Sequence, residues 1–157
     1  MSRVPAVPQV PASSRATALA LVFAGGTVGT ALRAAVEDGF SRPDSVLPWA
    51  TFLINVSGAA LLGLLTQLVA LRWRGAPGRR LRLALGTGLL GGYTTYSTFI
   101  IESVRLGSER ELIAALLYDA ASLTLGFLAA FAVMAAVRSW DRHRTDPDRA
   151  SPTGGAA

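Results

Sequence analysis

The residues best suited to chemistry crowd into one stretch, Gly91-Gly92-Tyr93-Thr94-Thr95-Tyr96-Ser97-Thr98-Phe99. Glycines loosen a helix, small hydroxyls donate and accept hydrogen bonds, and aromatic rings carry electropositive edges. These groups do not form a nucleophile and base. They can hold an ion: main-chain carbonyls freed at a helix break suit a cation, while amides and hydroxyls suit an anion. Thr51, Asn55 and Gly58 recur at helical spacing upstream and share one face. Downstream, Tyr118 and Ser122 are spaced i, i+4 and do the same. Tyr96 and Phe99, at i, i+3, can present ring edges from one side of a helix.

The elements that carry these residues are membrane spans. Of 157 residues, 51% are hydrophobic and 16% charged, too little charge to cover a water-exposed domain. Apolar runs fall at about 16–36, 47–71, 83–104 and 112–137, each near the ~20 residues that a spanning helix needs. A signal peptide is an alternative for the first run, but the run is long, is broken by Gly25, Gly26 and Gly29, and is followed by three more. Residues 1–15 read as a flexible tail and 138–157 as a disordered one. There is no Cys, which excludes disulfides and thiolate sites, and the lone His143 sits in an arginine-rich tail.

The cationic charge is all arginine. On one side of a four-span topology lie Arg3, Arg15, Arg72, Arg74, Arg79, Arg80, Arg82, Arg138, Arg142, Arg144 and Arg149. The other side has Arg42, Arg105 and Arg110. By the positive-inside rule both termini face the cytoplasm. Eleven against three is a strong bias.

Each polar residue also has a plainer explanation. Gly25-x-x-x-Gly29 and Gly88-x-x-x-Gly92 would allow close helix packing. Asn55 could be interhelical glue, and Ser122 could bond back to the carbonyl four residues earlier. Arg33 can snorkel from the end of span one. Glu102 lies about one turn from the end of span three and can pair with an arginine or a hydroxyl. The string Gly86-Thr-Gly88-Leu-Leu-Gly91 spells a dinucleotide fingerprint, but lies inside a span rather than in a strand–turn–helix unit. Nucleic acid is not an expected partner, since the charge clusters at the span ends. What the plain explanations do not cover is that three spans direct polar stripes inward together.

No acidic residue is expected at the centre of a span, which argues against a small-multidrug-type proton-coupled exporter. A non-transporting scaffold is the other alternative. A small anion in low dielectric loses on the order of 20 kcal/mol of hydration in the idealised limit. Hydrogen bonds to charged groups return about 1.5–3 kcal/mol each, so several donors must act in sequence.

With "GGTVGTALR" in span one, "TFLINVSGAALLG" in span two and "GTGLLGGYTTYSTFIIE" in span three, the chain resembles the Fluc, or CrcB, family of fluoride channels. The resemblance covers all four spans. It implies a passive fluoride exporter that lowers cytoplasmic fluoride, not an enzyme, built as an antiparallel dimer with two narrow pores. It further implies a structural Na⁺ at the dimer interface, held by the backbone carbonyls of Gly91 and Thr94. Asn55, Tyr96, Phe99, Ser97, Thr98, Tyr118 and Ser122 would match pore positions, with Thr51 beside them, and Arg33 and Glu102 structural polar ones. Two positions depart from the family pattern: Tyr96 stands where phenylalanine is usual, and Gly126 supplies no side-chain donor on span four.

The expectation is therefore an all-α, four-span channel with its third helix broken at the midplane, in a bacterial inner membrane. The arginine bias implies one-way insertion, and so a dimer with an oppositely oriented paralogue.

Overall fold

The computed structural model describes residues 12–40, 47–108 and 111–145, and among them every regular element is helical. α1 (Ala12–Phe40), α2 (Trp49–Arg72) and α6 (Leu112–Thr145) are long. Between α2 and α6 the chain is pieced together from α3 (Ala76–Leu81), a π-helical stretch (Arg82–Leu90), α4 (Gly91–Tyr93) and α5 (Ser97–Ser108). The three long helices are apolar and long enough to cross a membrane. The third run appears as two helical pieces that meet at Thr94–Tyr96.

The molecule wears its apolar residues outward. Leu19, Phe23, Ile113, Leu123 and Phe127 are all more than half exposed, whereas Thr51, Gln67, Thr95 and Ser122 are buried. In water that arrangement would be ruinous; in hydrocarbon it is the stable one, because the polar groups turn away from lipid.

Two close pairings organise the helices. α2 packs along α6, and α1 packs along the π-helical stretch and α4. The second pairing rests on glycine. A methyl group at Gly25 would collide with Ala84 O, and one at Gly29 with Leu89 O. From the facing side, a Cβ on Gly92 would lie 2.5 Å from Gly26 O and one on Gly88 2.9 Å from Val22 O. Both expected G-x-x-x-G strings thus serve backbone-to-backbone packing. That is how helices associate where lipid removes the hydrophobic drive between them.

Two expectations change. Gly91 and Gly92 do not break the helix, because both lie within α4 and Gly91 has helical dihedrals, φ −66° and ψ −32°. The chain turns out at Thr94, with φ −75° and ψ 155°. Nor does disorder begin at residue 138. α6 continues to Thr145, held by Arg138 Nε donating to Gln67 Oε1, an Arg72–Asp141 ion pair and Arg144 stacked over Trp140. The remainder of the two expected tails lies outside the described residues, apart from the start of α1 at Ala12.

Gly29→Val should force α1 off the π-helical stretch at a cost of about 1–3 kcal/mol. Gly39→Ala, with open space around it, should cost nothing. Thermal unfolding of the two variants in detergent checks this.

Candidate functional site

The break is held open by a side chain from another helix. Asn55 Nδ2 donates to Thr95 O at 2.9 Å, and Thr95 N donates to Asn55 Oδ1 at 3.0 Å. In an uninterrupted α-helix the Thr95 N–H would go to Gly91 O. The Asn55 amide takes it instead, and so diverts the bond that would have satisfied that carbonyl. One turn earlier, Leu90 O accepts both the Thr94 N–H at 3.0 Å and the Thr94 hydroxyl at 2.9 Å. On the far side, Thr95 Oγ1 accepts from Thr98 N at 3.2 Å and donates to Thr98 Oγ1 at 2.9 Å, capping the start of α5. Ser97 Oγ lies 3.4 Å from the same Thr95 hydroxyl.

The stripe on α2 meets this region along its length. Thr51 Oγ1 donates to Glu102 Oε1 at 2.9 Å, Asn55 clasps Thr95, and Gly58 has no room for a Cβ beside Thr94 Cγ2. Ser57 Oγ and Tyr93 OH lie 3.0 Å apart, tying α4 to α2. Glu102 is also reached from α6, where Tyr118 OH donates to Oε2 at 3.2 Å. Glu102 therefore takes hydroxyl partners, one of the two expected kinds. Its carboxylate knits α2, α5 and α6 together.

A cavity of about 320 Å³ opens at the break, lined by Asn55, Thr94, Thr95, Tyr96, Phe99 and Ser122, and by Gly126. Its polar equipment is specific. Asn55 has a second Nδ2 hydrogen beyond the one spent on Thr95. Ser122 is 7% exposed, and among the described residues its hydroxyl makes no bond to a main-chain carbonyl; it faces the Tyr118 hydroxyl one turn earlier. A serine that simply bonded back to the carbonyl four residues earlier is therefore not what stands here.

The two aromatics diverge. Phe99 is buried against Tyr118 at a ring separation of 5.5 Å, whereas Tyr96 is 77% exposed, 6.4 Å from Phe99. Both line the cavity, and Tyr96 is on its exposed flank together with Leu123 and Phe127. Of the other expected residues, Thr51 and Tyr118 gather at Glu102, next along the bundle. Ser97 and Thr98 sit on the cap of α5, and Gly91 borders the break. Arg33 stands apart, 4.0 Å from Glu37 on its own helix.

Two contributors, Ser57 and Asp119, are not anticipated from the sequence, and Tyr93 and Thr95 are anticipated only as members of the Gly91–Phe99 stretch. Asp119 lies in α6 two turns from its start and accepts a short hydrogen bond from Ser103 Oγ, which also lies 2.8 Å from Phe99 O. One hydroxyl proton can serve only one of these acceptors at a time. The Thr95-x-x-Thr98 spacing resembles a helix start and could have flagged Thr95. Nothing local flags Asp119.

Asn55→Asp would place an oxygen where Nδ2 now donates to Thr95 O. It should destabilise the fold by about 1–3 kcal/mol. Faster hydrogen exchange at Thr95 than at Leu106 would check that the break is where the loss is felt.

The chain is also similar in sequence to known proteins. The family described as CrcB-like protein, Camphor Resistance (CrcB), matches residues 20–134. The chain is 38% identical over 125 residues to a protein named fluoride-specific ion channel FluC from Novosphingobium aromaticivorans, covering 78% of this chain and 97% of that one. It is 44% identical over 113 residues to FluC 1 of Streptomyces avermitilis, covering 71% and 89%. To FluC 2 of Clostridium acetobutylicum it is 38% identical over 109 residues, covering 69% and 87%.

Proposed function

The chain belongs to the CrcB-like family, and we propose on that premise that it conducts fluoride passively across a membrane through the cavity at the Thr94–Tyr96 break. The observation that carries this reading is the buried Ser122 hydroxyl, not bonded back to its own helix's main chain, on a cavity that Asn55 and two aromatic rings also line. Fluoride must surrender its water. Ser122 Oγ–H, the second Asn55 N–H and the ring edges of Phe99 and Tyr96 are the groups that would replace it step by step. Ser97 and Thr98 add hydroxyls beside the break, and the Thr51–Tyr118–Glu102 cluster continues the polar route along the bundle.

In this reading the pieces on either side of the break form one crossing, the third of four, interrupted near the midplane. Chain segments without regular bonding are tolerated there because they face protein and a polar cavity rather than lipid. The carbonyls of Gly91 and Thr94 would hold a structural Na⁺. The donor chemistry fits: the Thr95 N–H is diverted from Gly91 O, and the extended ψ of Thr94 turns its carbonyl out of the helical direction. Unwound carbonyls are suitable hard-oxygen ligands for such an ion. The bound cation would supply fixed positive charge and rigidity, while the chain's own hydroxyls, amide and rings handle the anion.

The cavity's exposed flank at Tyr96 is where an antiparallel partner would close it. The arginine bias supports a partner of different sequence, since a subunit inserting both ways needs balanced loops. Both termini would then lie in the cytoplasm of a bacterial cell, with the protein in its inner membrane.

Reconstituted liposomes loaded with fluoride or chloride test the function. Fluoride should leave rapidly when a potassium ionophore relieves the charge, without a proton gradient, while chloride stays. Absence of electrogenic fluoride efflux both from this chain alone and from its co-expressed complex with an oppositely biased paralogue would sink the reading, as would a requirement for a proton gradient. Ser122→Ala should lower the fluoride rate by about tenfold if it replaces one charged-group hydrogen bond. The partner question separates cleanly. This chain purified alone should give little flux, and co-expression with an oppositely biased paralogue should restore it; full activity from the single chain would exclude the heterodimer.

A further inference from the structure

One face of α6 remains outside the ion route. Phe131, Met134 and Ala135 run along it toward Arg138 and Arg142, and together they line a cavity of about 280 Å³. Arg138 is not simply a charge at a helix end. Its Nε donates to Gln67 Oε1 at 3.0 Å, and Gln67 is itself buried on α2. That bond uses one of the five N–H donors of a guanidinium and fixes the plane in which the others lie. Arg142 follows one turn later on the same face. Phe131 is exposed and stacks on Phe127 at 6.5 Å.

We propose that this face of α6 is a docking site for an anionic phospholipid. The two guanidiniums would take the phosphodiester, and the Phe131–Met134 surface would take the first carbons of an acyl chain. From Phe131 to Arg138 the helix rises about 10 Å, enough to set the apolar side chains within the hydrocarbon and the guanidiniums in the headgroup region. The charge matches the ligand: a planar guanidinium pairs with a phosphate oxygen pair bidentately, and basic pockets at the ends of spanning helices suit acidic headgroups. The buried Gln67 would set the angle at which Arg138 meets the headgroup. The proposal rests on α6 spanning a membrane and not on the fluoride route.

The probe is phosphatidylglycerol against phosphatidylcholine, counted as lipid retained on the full chain in native mass spectrometry. The wild type should retain phosphatidylglycerol in preference. Arg142→Gln should lower that preference by about fivefold, and Arg138→Gln/Arg142→Gln by more. Arg79→Gln/Arg80→Gln removes equal charge from α3 and should leave the preference unchanged. Equal retention of the two lipids by the wild type would overturn the proposal, as would an undiminished preference in Arg142→Gln. So would an equal fall in the α3 variant, which would mean a general field of positive charge only. Fluoride efflux from the complex co-expressed with the paralogue should be the same with Arg142→Gln as with the wild type, so a failed lipid result and a failed channel reading remain distinct.

Discussion

A chain that crosses hydrocarbon must satisfy its backbone internally, and the clasp between Asn55 and Thr95 is where this chain meets that demand while leaving its helix broken. The amide of asparagine is a peptide group in miniature, with one acceptor and a donor placed as a neighbouring strand would place them. By pairing with both the N–H and the C=O of Thr95, it substitutes for the two helical bonds that the break removes. Without it, two polar groups would be buried in a low-dielectric interior, and rejoining the helix would be the cheaper state. The cavity, the cap on α5 and the turn at Thr94 all depend on that substitution.

The glycine faces of α1 solve a different part of the problem. A π-helical stretch is wider than an α-helix, and its carbonyls at Ala84 and Leu89 approach α1 so closely that only glycine fits at Gly25 and Gly29. Carbonyl oxygens in contact with glycine Cα–H groups gain a weak attraction that lipid cannot offer. The segment that leads into the break is thereby braced from one side by α1, while α2 grips it from the other through Asn55, Ser57 and Gly58. Two kinds of adhesion, one steric and one polar, fix one irregular stretch.

Much of this could be read in the chain alone. The long apolar runs gave three of the helices, and the i, i+4, i+7 spacing of Thr51, Asn55 and Gly58 put them on one face, which in the structure meets Glu102, Thr95 and Thr94. The two G-x-x-x-G strings announced close packing. What could not be read was which residue does the breaking. Propensity points to Gly91 and Gly92, because glycine weakens helices on average, yet tertiary packing holds both in helical geometry. The break falls at Thr94, which has no unusual propensity, because its partner lies forty residues earlier. Asp119 stayed hidden for the same reason. A carboxylate inside an apolar run looks like an exception until Ser103, on another helix, comes into view. The helical end of α6 was also illegible, since Arg138–Thr145 is polar by composition and is ordered by Gln67, Arg72 and Trp140.

The length of α6 fixes how the protein is seated. Thirty-four residues at 1.5 Å each make a rod of about 51 Å, against a hydrocarbon slab of about 30 Å. Leaning alone would need an angle of about 54°, beyond the 0–40° that spanning helices adopt. The last turns must therefore stand clear of the oily layer like the top of a piling, and its waterline is drawn where arginine and tryptophan replace leucine. The rest of the assembly, bolted to that post through α2, has its height in the membrane set by the same mark.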